Sequence, residues 1–260
     1  MKLCAIQLTS GQNIEENLKK AEYYAQQACI EKSDLIVLPE MYPYIGEPGD
    51  EASWAVPPGD TKYIDPLLKL SAEYKNTIVC GSIPVISEKP SRIYNRSYTV
   101  SHGKIAGFYD KINLFDIDIK KKASSGESLF TVPGTRTEVF SLPGFNLGIA
   151  VCFDLRFPAL FNQLRKKGSE IIALPAAFLE HTGKDHWEIL LRARAIETQS
   201  YIIAADQFGR HTKSRKTYGR SMIIDPWGTI LACAPDEETN IYSNISKDRQ
   251  ARIRQELKML

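Results

Sequence analysis

Gly148-Ile149-Ala150-Val151-Cys152-Phe153-Asp154-Leu155-Arg156-Phe157-Pro158 joins an apolar run to a proline suited to the first turn of a helix. Residues 147–151 read as a buried strand bounded by turn signals upstream. The strand ends at a cysteine, followed at once by a charged Asp-x-Arg step. α/β proteins place their ligands where a buried strand turns into a helix at its carboxyl end. Taken alone, the thiol reads more readily as a packed structural cysteine, because free Cys is among the most buried residue types.

Working outward, residues 170–175 (Glu-Ile-Ile-Ala-Leu-Pro) repeat the character of residues 34–39 (Asp-Leu-Ile-Val-Leu-Pro). Each half of the chain therefore carries strand, helix, strand and Leu-Pro, an internal duplication of a βαβ-like unit. In the first half, residues 2–9 form the opening strand. Asn13 and Glu16 resemble a helix N-cap with its N3 partner, and Ile14, Leu18, Ala21, Ala25 and Ala28 lie on one helical stripe. Residues 42–59, rich in Pro, Gly and acids, read as a loop, and 60–74 as a helix. Strands are expected at 77–85, 93–100 and 104–109, with His102-Gly103 as a turn. Residues 116–128 read as a loop or short helix near the site. In the second half, 158–167 is helical with Gly168 at its C-cap. A helix over 186–199 places Glu188 and Arg192 as an i,i+4 pair. Strands at 201–205, 221–225 and 241–245, a turn at Pro226-Trp227-Gly228 and a helix over 247–259 complete the chain. No linker or shift of composition divides it, so residues 1–260 are expected to be a single domain of α/β class.

Composition excludes several functions. At 43% apolar and 25% charged residues, the 260-residue chain is globular rather than disordered. A formal charge of +2 gives no nucleic-acid or membrane surface, and the basic runs at 120–122 and 165–167 read as solvated faces. No stretch is long enough to span a membrane, and the apolar start is too short for a signal peptide. Five scattered cysteines without Cys-x-x-Cys fit a reducing compartment, so a cytoplasmic location is expected. His181 and His186 are five apart, the wrong spacing for one helical face, and no metal site is assigned.

If the duplicated units align their strands, Glu40 and Cys152, each ending a strand, lie on one edge. Lys111 follows the strand at 104–109. A free thiol, pKa about 8.5, is only a few per cent thiolate at neutral pH. A neighbouring ammonium lowers that pKa, and a carboxylate whose own pKa is raised by burial accepts the proton.

Leu38-Pro39-Glu40, Tyr109-Asp110-Lys111 and residues 150–158 resemble, in order, the three signatures of the nitrilase (carbon–nitrogen hydrolase) superfamily. Thr182-Gly183-Lys184-Asp185-His186-Trp187-Glu188, residues 191–197, Tyr218-Gly219-Arg220-Ser221 and Asp225-Pro226-Trp227-Gly228 resemble its Nit branch. The resemblance implies a four-layer αββα sandwich of two mixed sheets with internal pseudo-duplication. It also implies a catalytic triad of Glu40, Lys111 and Cys152, with Glu127 as a second carboxylate positioning Lys111 or the substrate. In the implied reaction Cys152 attacks an amide, the Phe153 backbone N–H and Lys111 hold the oxyanion, and ammonia leaves a thioester that water cleaves. No metal or cofactor enters. The branch implies small carboxylated amides, deaminated glutathione first, with ω-amidase substrates of the 2-oxoglutaramate type or N-carbamoyl and aliphatic amides as alternatives. A scaffold protein with little turnover is the reading from another class. Arg156, Phe178 and Thr182 are the candidate substrate contacts, with a salt bridge to Asp154 as the competing role for Arg156. Family members pair back to back, so a homodimer or higher homo-oligomer is expected. Phe153 stands where relatives often carry Tyr, and residues 41–54 match no recognised pattern, leaving the substrate pocket unread.

Overall fold

A computed structural model describes residues 1–47, 49–116, 126–142 and 144–259. The lysine run at 120–122, expected on a solvated face, lies outside the described residues. The first sheet contains β1 (Lys2–Gln7), β2 (Leu35–Val37), β3 (Thr77–Val79), β4 (Ile83–Ile86), β5 (Ile93–Ser101), β6 (Lys104–Asp110) and β15 (Thr239–Asn244). Its order is β15-β1-β2-β3-β5-β4, with β6 paired to β5. The second contains β7 (Val139–Leu142), β8 (Phe145–Ile149), β9 (Ile171–Ala176), β10 (Tyr201–Asp206), β13 (Met222–Ile224) and β14 (Ile230–Cys233), ordered β14-β13-β10-β9-β8-β7. A small hairpin, β11 (Phe208–Arg210) and β12 (Lys216–Tyr218), stands apart from both. The α-helices are α1 (Ile14–Ile30), α2 (Asp65–Tyr74), α3 (Pro158–Lys166), α4 (Glu180–Thr198) and α5 (Lys247–Glu256).

The alternation of side chains along a strand builds the layers. Leu3, Ala5, Leu35 and Val37 face the second sheet and share one core with β8, β9 and β10. Their neighbours Cys4, Ile6 and Ile36 point the other way, onto Ala21, Ala25 and Ala28 of α1 and Leu67 of α2. Phe161 and Leu164 of α3 and Trp187, Leu191 and Ala195 of α4 cover the far face of the second sheet. The result is the αββα sandwich with two mixed sheets.

The duplication is longer than one βαβ unit. β1-α1-β2-α2-β3 and β8-α3-β9-α4-β10 each lay three parallel strands side by side. β5 runs antiparallel to β3 and β6 antiparallel to β5, so β6 points the same way as β1 to β3. The carboxyl ends of β2 and β6 thus fall at one edge. There the sheets meet: the Glu40 N–H bonds the Ala176 carbonyl at 3.3 Å, and Leu8 bridges Gln207.

Local readings hold where the signal is local. Asn13 caps α1 by accepting from the Glu16 N–H, Pro158 opens α3, and Glu188 pairs with Arg192 at 3.3 Å. Gly168, at φ 89°, ends α3. Others are corrected. The strand expected at 77–85 is two strands, because Gly81 turns at φ 50° against the Pro39 carbonyl, which would lie 2.0 Å from any Cβ there. α2 begins at Asp65 instead of 60, with Pro66 in its first turn. α5 ends at Glu256, three residues before the expected 259. α4 begins at Glu180, six residues before the expected 186, so His181 and His186 both lie on the helix. Gly183 is accommodated within that helix because the Tyr218 side chain packs against its bare Cα.

Candidate active site

Cys152 follows β8 and opens a 3₁₀ turn, Cys152–Arg156. Its φ of 46° lies in the left-handed region, an unfavourable place for a residue with a Cβ. Asp154, fully buried, holds that turn: its Oδ2 accepts from the Val151 N–H at 2.9 Å and the Tyr109 hydroxyl at 2.7 Å. Oδ1 accepts from the backbone and side-chain nitrogens of Asn113 at 2.9 and 2.8 Å. One carboxylate therefore ties the cysteine turn to the segment that follows Lys111. Those bonds use up Asp154, and the alternative salt bridge from Arg156 to Asp154 does not form.

Glu40 follows β2, and its carboxylate lies beside the Cys152 thiol. Lys111, directly after β6, places Nζ 3.1 Å from Glu40 Oε1 and 2.8 Å from Glu127 Oε2. All four residues are buried or nearly so; the Glu127 side chain is 12% exposed, against the solvated loop acid that its setting alone describes. Two donors complete the arrangement. Asn95 Nδ2 reaches Glu40 Oε1 at 2.8 Å and Glu127 Oε1 at 3.1 Å, and the Ala177 N–H reaches Glu40 Oε2 at 3.0 Å.

Charge follows from these neighbours. Burial is the largest influence on Glu40 and pushes its pKa up, but the Lys111 ammonium, the thiol and Asn95 outweigh it and hold the carboxyl below its ordinary value. Burial pushes the Cys152 thiol well up, and the Glu40 charge adds to it, while Lys111 opposes both. Lys111 is held well above its ordinary value because the two glutamates outweigh its burial. These directions reverse the sequence expectation, in which the thiol came down and the carboxyl went up: the donors converging on Glu40 were not visible in the chain.

A cavity of about 410 Å³ opens above the sulfur. Phe153, Arg156, Phe178 and Thr182 line it, and the Phe153 ring stacks edge-on against Phe115 at 5.2 Å. Phe153 is the second residue of its turn, so its N–H has no acceptor within that turn. Arg156 lies over the Phe178 ring at 4.9 Å, with Nη1 3.2 Å from His186 Nδ1 and no carboxylate partner among the described residues. Sequence reading missed Asn95, the tethering by Asp154, and the cavity residues Glu51 and Arg215. Asn95 had a signal: Ile93, Asn95, Ser97 and Thr99 alternate on one buried face of β5, and polar residues there require partners.

A buried carboxylate, ammonium and thiol at the edge where duplicated sheets meet define an amide hydrolase. A Carbon-nitrogen hydrolase family profile matches residues 2–255; the chain belongs to that family and cleaves amide C–N bonds. It is 34% identical over 262 residues to a deaminated glutathione amidase of Synechocystis sp., covering 98% of this chain and 95% of that protein. Its identity to the Yersinia enterocolitica deaminated glutathione amidase is 38% over 258 residues, 98% of this chain and 90% of the other. Saccharomyces cerevisiae Nit3, a member of branch 10 of the nitrilase superfamily, superposes with a TM-score of 0.90 at 28% identity, over 99% of this chain and 94% of that one. Among the described residues no helix is long and apolar enough to cross a membrane.

Proposed function

We propose that this amidase uses Cys152 as nucleophile on small carboxylated amides, with deaminated glutathione, named for its relatives, as the first substrate to test. The observation that carries the reading is Glu40 held ionised beside a thiol that stays protonated, with Lys111 bonded to the same carboxylate. Glu40 takes the thiol proton as Sγ attacks the amide carbon. The oxyanion meets the Phe153 N–H and the Lys111 ammonium, and each donor lowers the barrier by about 3 kcal/mol. The C–N bond breaks, the leaving nitrogen takes the proton from Glu40, and a thioester remains. Glu40 then takes a proton from water, whose oxygen attacks the thioester, releasing the acid and returning the thiol. Glu127 keeps Lys111 aimed at the oxyanion. A primary amide releases ammonia; deaminated glutathione, an N-substituted amide, releases an amine instead, and the expectation of ammonia is amended for that substrate.

Arg156, with unspent donors, suits the substrate carboxylate, and Phe178 and Thr182 form pocket walls. All five cysteines carry free thiols, which supports a cytoplasmic setting, and the charge of +2 supports a protein without nucleic-acid or membrane partners. The whole chain acts as one domain and pairs as a homodimer. The test is the mass of the protein mixed with substrate and quenched: wild type gains the acyl mass on Cys152. Cys152→Ala shows no adduct and loses about 10⁴-fold or more in turnover. Undiminished turnover in Cys152→Ala would remove the reading.

A further inference from the structure

Two guanidinium groups face the cavity, and neither is taken up by the catalytic residues. Lys111 is committed to Glu40 and Glu127. Arg156 has no carboxylate partner among the described residues. Arg215 comes from a different part of the fold, the turn between β11 and β12, and meets Glu51 of the 3₁₀ turn Asp50–Trp54. That pair is loose: Nη1 to Oε1 is 3.6 Å, and among the described residues the Arg215 guanidinium donates no hydrogen bond, although its side chain is only 21% exposed and that of Glu51 12%. A guanidinium carries five donors in a rigid fork, and withdrawing it from water with those donors idle is unfavourable unless an anion arrives to meet them. Arg215 is such a group, and Arg156, which meets His186 but no carboxylate among the described residues, is a second cation on the same cavity.

Resting on the amidase reading of the same cavity, we propose that Arg215 sets specificity for the leaving half of the substrate by binding a carboxylate carried there, apart from the one that meets Arg156. Arg156 is four residues from the sulfur on the nucleophile's own turn, and its guanidinium lies over the rings of Phe153, 5.7 Å away, and Phe178, 4.9 Å away. It therefore serves the acyl half, which becomes attached to Sγ. Arg215, carried by the outer turn with Ser214 beside it, serves the amine half that leaves. Glu51 holds the empty Arg215 in place without filling its fork. A volume of about 410 Å³ accommodates both halves at once.

The test uses two substrates: 2-oxoglutaric acid joined through its γ-carboxyl to cysteinylglycine, and the same compound ending in glycinamide. Wild type prefers the free carboxylate by about 30-fold in kcat/KM, the range of a charged, partly buried hydrogen-bonded pair. Arg215→Met lowers kcat/KM for the carboxylate substrate about 30-fold, mainly through KM, and abolishes the preference; Arg215→Lys restores part of it. Were Arg215 only a tie between turns, Glu51→Gln would produce the same loss, whereas the proposal has the preference survive in Glu51→Gln. A preference unchanged in Arg215→Met, or equal rates on the two substrates in wild type, overturns the proposal alone. Turnover of neither substrate by wild type overturns the substrate reading of the preceding subsection and this inference with it.

Discussion

Glu40 and Cys152 compete for one proton, and burial pushes both toward holding it. The Lys111 ammonium reverses the outcome for Glu40 but not for the sulfur, where the Glu40 charge reinforces burial. The resting pair is therefore carboxylate and thiol, ready for general-base attack without prior ionisation of the cysteine. A carboxyl held below its ordinary 4.5 is ionised throughout the neutral range, so kcat/KM is flat between about pH 6 and 9 and falls only as acid protonates Glu40 below 4.5. Its contribution to stability has the same sense, present above 4.5 and lost as pH falls through the lowered value. Glu40→Gln lowers kcat by about 10³-fold and removes that acid limb. A pH–rate profile of wild type with its acid limb between 6 and 7 would instead mean a carboxyl raised by burial, and would sink this assignment. The residues were legible in the sequence because each ends a strand beside a Leu-Pro, Tyr-Asp or Cys-x-Asp signature. Their protonation was not, because the groups that set it on Glu40 come from Lys111, Cys152 and Asn95, 71, 112 and 55 positions away in the chain.

Among the elements, α4 illustrates how tertiary contact overrides a local signal. Its first two turns contain Thr182-Gly183-Lys184-Asp185, which lies before the helix expected from 186, yet the helix begins at Glu180. Gly183 is required because a Cβ would stand 2.4 Å from the Tyr218 Cβ on β12, which is itself tied to Phe178 through a backbone bond of 2.8 Å. Ala is better than Gly in a helix by about 1 kcal/mol, so an unpacked position would gain from Gly183→Ala. Here the clash wins. Gly183→Ala is expected to lose about 2 kcal/mol in urea unfolding, and to raise KM because β12 and the cavity wall at Phe178 shift together. A stabilised variant would show that Tyr218 yields freely and that the glycine serves no packing role. The same cause explains β7, β11, β12 and β14, which sequence reading passed over: each is three or four residues long, too short for alternation to register, and is defined by its partner strand.

At the scale of the whole molecule, the duplication was legible in the repeated Leu-Pro strands, but its extent to three parallel strands per unit was not, because α2 and α4 belong to the repeat only once β3 and β10 are paired. α4 also sets the exterior. Its inner face, Trp187, Leu191 and Ala195, is fully buried on the second sheet, yet Ile189 is 68% exposed and Ile196, two turns on along the same stripe, 40%. Trp227, 55% exposed, sits on the neighbouring β13–β14 turn, which is fastened to α4 by Arg192 Nε donating to the Gly228 carbonyl at 2.9 Å. Single exposed apolar residues are ordinary, but three large ones on one helix and the turn fastened to it favour a protein partner. In a twofold dimer the same patch meets its own copy, so one substitution alters both sides of the contact. A charge placed there is therefore counted twice, once per subunit, and faces its like across the axis. Ile189→Lys combined with Trp227→Lys is expected to halve the mass seen by sedimentation at micromolar concentration while leaving Cys152, whose cavity neither residue lines, able to form its thioester. Wild type sedimenting as a monomer under the same conditions would show that this face meets solvent in the native protein, and the pairing proposed above would fall with it.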